Sequence, residues 1–170
     1  MERSAIDKKF GDIWLRARHN ALANLEAANN AKKEIRKYEV ITSFLIVLPI
    51  ISITLSKVCL FFAKWDVVFS IIGSVGALFL TLVGFVQELK SKVNYHTKAH
   101  STFNNIAQKT RRGSNPYIDE VETKYLIRAL EEMFETAKAN SLEPTDEEYN
   151  KGFSRIENMP RLPFGLDLNE

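Results

Sequence analysis

Two stretches of this chain carry no charged side chain. Val40 to Ser56 and Val67 to Gln87 contain no Asp, Glu, Lys or Arg. As helices they would measure roughly 26 and 31 Å, close to the thickness of a bilayer's hydrocarbon. The first lengthens to Ala63 if Lys57 extends its ammonium to the headgroups. The average conceals this segregation, since a mean hydropathy of -0.16 is ordinary. Two all-apolar helices buried in a compact domain would need a surrounding shell of amphipathic elements. The rest of the chain is too polar and too short to supply one. The expected class is therefore all-α, an integral membrane protein built on a two-span transmembrane helical hairpin with long cytoplasmic helical extensions.

The expected segments follow. Residues 1–38 form an N-terminal helix, 39–63 and 67–89 the two spans, and 64–66 a short outer turn. Residues 90–112 form a stalk helix, 115–140 a third amphipathic helix, and 141–170 a short capped helix and tail. The polar stretch Met1 to Glu39 is unlike a cleaved signal peptide, and residue 2 and the ending "DLNE" match no acyl or prenyl motif. Lys32, Lys33, Arg36 and Lys37 precede the first span and Lys90, Lys92 and Lys98 follow the second. Such basic flanks place both termini in the cytoplasm, with Trp65 of the turn in the interfacial aromatic belt. The expected location is a membrane crossed more than once.

Outside the spans the periodicity is helical. Phe10, Trp14, Ala17, Ala21, Leu25, Ala28, Ala31, Ile35 and Tyr38 recur at three and four, uninterrupted by Pro. One helix from about Ser4 into the first span is expected. Its Ala-rich face buries too little area to be stable alone and needs a partner along its length. Leu89, Val93, His96, His100, Phe103 and Ala107 offer one. The chain breaks at "RRGSNPY", where Gly113 can end a helix and Asn115–Pro116 can start the next. Thr145 to Glu148, "TDEE", reads as a capping box.

Within the apolar runs, small residues recur. Thr42, Pro49, Ser52 and Ser56 share a face of the first, and Ser70, Ser74, Ala77, Thr81 and Gly84 recur along the second. In membrane helices such stripes mark close packing. Arranged around an axis, the same hydroxyls can instead line a pore gated by Leu78 and Phe85, with Pro49 as a bend. Both readings stay open.

No catalytic constellation is expected. Gly73-x-x-Gly76 lies within an apolar run and not in a phosphate loop between strand and helix, and nucleophile elbows and Cys pairs are lacking. No cofactor is called for. His96 and His100 sit at i and i+4, a metal-ligand spacing, without the Glu of a metalloprotease helix; half-buried packing is the plainer reading, a pH or metal sensor the sharper one. The lone Cys59 reads as a small apolar side chain. With a net charge of +2 there is no nucleic-acid footprint. Arg111 and Arg112 form a compact basic pair suited to a nucleotide, and the Met133–Phe134 face suits a protein partner.

The texture "IWLRARHNALANLEAANNAKK", the charge-free hairpin, and the exit "QELKSKVNYHTKAHSTFNNIAQ" followed by further helices resemble the SLATT family. These are small two-span effectors of bacterial anti-phage defence. The resemblance covers about Phe10 to Asn140. It implies homo-oligomerisation in the bacterial inner membrane, with the lipid bilayer permeabilised when a defence-system partner signals. That partner would be a nucleotide-producing synthase or a reverse transcriptase module. A passive membrane anchor that binds a partner protein, and a small channel subunit, are the alternatives.

Overall fold

The computed structural model describes residues 3–56, 66–82, 84–113 and 119–166. All its regular structure is helical: α1 (Arg3–Ser56), α2 (Asp66–Leu82), α3 (Phe85–Gly113), α4 (Glu120–Ala139), α5 (Asp146–Glu157) and a final 3-10 turn, Pro163–Gly165. The chain divides into two compact units. One comprises Met1–Asn29 with Val93–Glu170, the other Asn30–Lys92.

The first unit is a bundle built around the N-terminal half of α1. Phe10, Ile13, Trp14, Ala17 and Ala21 of α1 pack with Ala99, Phe103, Ile106 and Ala107 of α3 and with Ile127, Leu130 and Phe134 of α4. Alanines on α1 take up little room beside the neighbouring helices, and aromatic rings fill the rest of the core; the ring centroids of Phe103 and Phe134 lie 5.5 Å apart. The opposite side of α1 is covered by α5. A Cβ on Gly152 would lie 2.8 Å from the backbone nitrogen of Ala23, so only glycine permits this approach. Tyr149 and Phe153 of α5 pack edge-on against His19, and Arg155 pairs with Glu26.

Helix ends follow local chemistry. Thr145 caps α5 in a reciprocal box: its Oγ1 accepts from Glu148 N at 3.4 Å, and its own N–H donates to Glu148 Oε2 at 2.9 Å. The start expected at Asn115–Pro116 lies outside the described residues. Helix α4 is described from Glu120, where Asp119 is the N-cap and accepts from Glu120 N at 2.7 Å.

The second unit holds the rest of α1, all of α2 and the start of α3. It overturns the membrane hairpin: among the described residues no helix is long and apolar enough to cross a membrane. Helix α2 is described over Asp66–Leu82, and Gly84 adopts a left-handed φ of +65° before α3 begins. The run Val67 to Gln87, continuous in sequence, is thus cut where glycine's freedom allows a helix to stop. The integral-membrane class, the two transmembrane spans, the multi-pass inner-membrane location with its cytoplasmic termini, and the membrane and pore-forming description are all corrected by this finding. The extension to Ala63, Lys57, Cys59, Trp65 and most of the 64–66 turn lie outside the described residues.

Candidate functional site

The histidines expected as packing or sensing residues join a polar ladder along α1. His96, 8% exposed, donates from Nδ1 to Asn24 Oδ1 at 2.8 Å. His100 Nδ1 donates to the carbonyl of Ala21 at 2.8 Å. Asn24, fully buried, passes the network on through Nδ2 to Asn20 O at 2.9 Å, and Tyr149 OH donates to Asn20 Oδ1 at 3.0 Å. Burial, with the Glu143 carboxylate, raises the Tyr149 pKa above the usual phenol value. Each buried polar group met this way avoids a desolvation penalty and fixes the register of α3 and α5 on α1. Among the described residues no group of His, Cys, Asp and Glu is placed to hold a metal ion.

The small-residue stripes are distributed less simply than one face would require. Thr42 and Ser70 are half-buried, as is Ala77, whereas Ser74 and Thr81 are exposed. The hydroxyls of Thr42 and Thr81 are turned back onto the helix, donating to the carbonyls of Tyr38 and Ala77. Pro49, Ser52 and Ser56 fall within α1, and Gly84 lies at the break between α2 and α3. The last member of the stripe is a helix terminator.

A different periodicity faces outward in this unit. Val40, Phe44, Val47 and Ile51 of α1 are 69, 65, 45 and 48% exposed, at spacings of four, three and four. On α2, Val68, Ile71, Val75 and Leu78 are 42, 57, 60 and 59% exposed at spacings of three, four and three, flanked by Ile72. Both are heptad stripes of the kind that pack helix against helix. In sequence they were hidden within uniformly apolar runs.

The residues expected to receive a signal separate. Phe134 is a core residue, 4% exposed, and offers nothing to a partner; Met133 is half-buried at a groove between α3 and α4 floored by Ala99 and Ala129. Arg111 and Arg112, at the end of α3, are both exposed. Arg111 lines a second groove, of about 1050 Å³, bounded by α1, α3 and the segment Met159 to Leu166. Arg18 and Arg161 line it too, an association that sequence reading missed because the three arginines are far apart in the chain. Arg18 donates from Nη1 to Asn104 Oδ1 at 2.7 Å, and burial lowers its pKa. The groove's closing segment is held by Phe164, which adopts a left-handed φ of 64° and stacks on Phe10 with centroids 6.5 Å apart.

Comparison with family models, with curated proteins and with solved structures returned no match.

Proposed function

We infer that this protein acts by assembly and binding: copies associate through the apolar helices of the second unit, and the bundle of the first unit receives a signal from a partner. The observation that carries the reading is the pair of exposed heptad stripes, Val40–Phe44–Val47–Ile51 and Val68–Ile71–Val75–Leu78. Large aliphatic and aromatic side chains left exposed at regular helical spacing on both helices are the kind of surface that marks an interaction site. The stripes contain no charge that would select an oppositely charged partner, and aliphatic side chains at three-and-four spacing suit a second copy presenting the same surface. The reading carries no chemical step, consistent with the lack of a nucleophile or acid–base motif in the sequence. From the SLATT resemblance it retains the homo-oligomer and the signal-receiving helices, and leaves aside the permeabilised bilayer.

Sedimentation of the purified full chain tests it. A discrete oligomer is expected, dispersed to monomer by Val75→Lys. A parent chain that is monomeric in dilute buffer, or that partitions as a monomer onto phosphatidylglycerol vesicles, would overturn it.

A further inference from the structure

We propose that the groove between α1, α3 and the Met159–Leu166 segment is a binding site for a small phosphate ester carrying an apolar or aromatic ring. It lies entirely in the first unit and is independent of the apolar stripes on the second.

The argument begins with charge. Among the described residues that line the groove are three guanidiniums, Arg18, Arg111 and Arg161, and the carboxylate of Glu157. The arginines come from three separate segments, so their convergence is a product of the tertiary fold and not of a local basic run. Among the described residues, no carboxylate lies within ion-pair distance of Arg18 or Arg161. Arg18 is the informative member. Half-buried, it spends a donor on the neutral amide of Asn104, and burial disfavours its charge. A partly desolvated guanidinium whose fixed partner is a neutral amide can still gain from an anion. Asn104 fixes the fork in place, leaving its remaining N–H donors for a ligand.

Shape narrows the class. Guanidinium forks match the paired oxygens of a phosphate bidentately. The lining between the arginines is mixed: Asn104 and Gln108 lie among apolar side chains that include Trp14, 7% exposed and shared with the core, and the half-buried Phe164. A volume of about 1050 Å³ exceeds what a bare phosphate occupies and lies just above the usual range of small-molecule clefts, about 300–1,000 Å³. A phosphate among the arginines with its ring against Trp14 and Phe164 uses both halves of the groove.

Adenosine 5′-monophosphate is the probe. In the full chain carrying Trp65→Phe, Trp14 is the remaining tryptophan, so its fluorescence reports occupancy of this groove. Saturable quenching by adenosine 5′-monophosphate is expected, with adenosine at least tenfold weaker. Arg161→Glu, an exposed position that the core does not use, should weaken binding at least tenfold, and Arg18→Gln should do the same where circular dichroism shows the helices retained. No saturable binding, adenosine binding as tightly as its phosphate, or unchanged affinity in Arg161→Glu would each overturn the assignment. None of these outcomes depends on the oligomeric state.

Discussion

Gly152 of α5 lies so close to Ala23 of α1 that a Cβ at this position would meet the Ala23 nitrogen at 2.8 Å and its Cα at 3.2 Å. Helix interiors ordinarily favour alanine over glycine by about 1 kcal/mol. Here the obstacle is backbone, which has no rotamer to change, so the contact outweighs the propensity. Gly152→Ala is expected to lower stability by about 1–3 kcal/mol, the usual cost of overpacking. Urea unfolding followed by circular dichroism measures it. Ser154→Ala, exposed on the same helix, serves as the control and should be neutral or slightly stabilising; a Gly152→Ala variant that matches it would mean the helices are not this close.

The register of α3 on α1 depends on Asn24. Its Oδ1 accepts from His96 Nδ1, and its side chain is fully buried. Asn24→Leu keeps the branch at Cγ, enlarges the side chain somewhat and removes the acceptor, leaving this polar contact of the buried imidazole unmet. A loss of about 1–3 kcal/mol is expected. If instead the variant is as stable as the parent, the Asn24–His96 bond contributes nothing net. Exchanging both residues, Asn24→Leu with His96→Leu, should cost less than the sum of the two single changes, which a double-mutant cycle reads directly.

Tyr149 gives the bundle an alkaline limit. Burial first, and the Glu143 carboxylate second, raise its pKa, so the folded state holds the phenolic proton more tightly than the unfolded chain does. A pKa raised on folding stabilises fully below the unfolded value, about 10 for tyrosine, and the contribution is lost as pH rises through the folded value. Stability should therefore fall with rising pH above about 10. In Tyr149→Phe this component of the fall is missing, at the cost of the hydrogen bond to Asn20. Equal alkaline slopes in the two proteins would exclude Tyr149 as the titrating group.

The cap of α5 was legible from four letters. Thr145 and Glu148 in "TDEE" make both bonds of the box. Thr145→Ala should cost about 1 kcal/mol. Because α5 is the element that covers the far side of α1, amide exchange over Tyr149 to Ile156 should speed up in this variant before the core of α1 and α3 is affected.

What the sequence disclosed and what it concealed divide along physical lines. The stripe from Phe10 to Ala31 was visible because one apolar face against a polar background produces a clear period, and most of its members are buried. The second buried face of α1, with Ala23 and Ala27, was not visible. Alanine differs too little from its neighbours to mark a face, and the partner is a glycine. The misreading of the second apolar run has a single source at Gly84. Counting uncharged residues measures a run, not a helix, and a glycine in a run of small residues reads as a packing site when its φ makes it a terminator. Phe134 was assigned to a partner because α4 has a broad apolar face; the core takes Ile127, Leu130 and Phe134, and leaves Val121 and Tyr125 exposed. The arginine groove had no local signal. Arg18 and Arg161 meet only once the closing segment folds back over α1.

The heptad stripes carry the final prediction, because the two can be separated from each other and from the bundle. Phe44→Lys on α1 and Val75→Lys on α2 each place a cation in the middle of an exposed apolar stripe. Neither residue belongs to the core of the first unit. If both stripes lie in one interface between copies, each substitution alone should disperse the oligomer, since a buried unpaired cation in an interface costs several kcal/mol. The urea midpoint of the Phe103–Phe134 core should stay within experimental error of the parent. Lys90→Glu, an exposed charge outside both stripes, should leave the oligomer intact. Dispersal by Val75→Lys alone would confine the interface to α2. Dispersal by Lys90→Glu as well would place the association in charge and not in the apolar stripes. Light scattering at low and high salt separates association by charge from association through the apolar stripes, since an apolar interface is retained or strengthened at high salt, whereas one held by charge weakens.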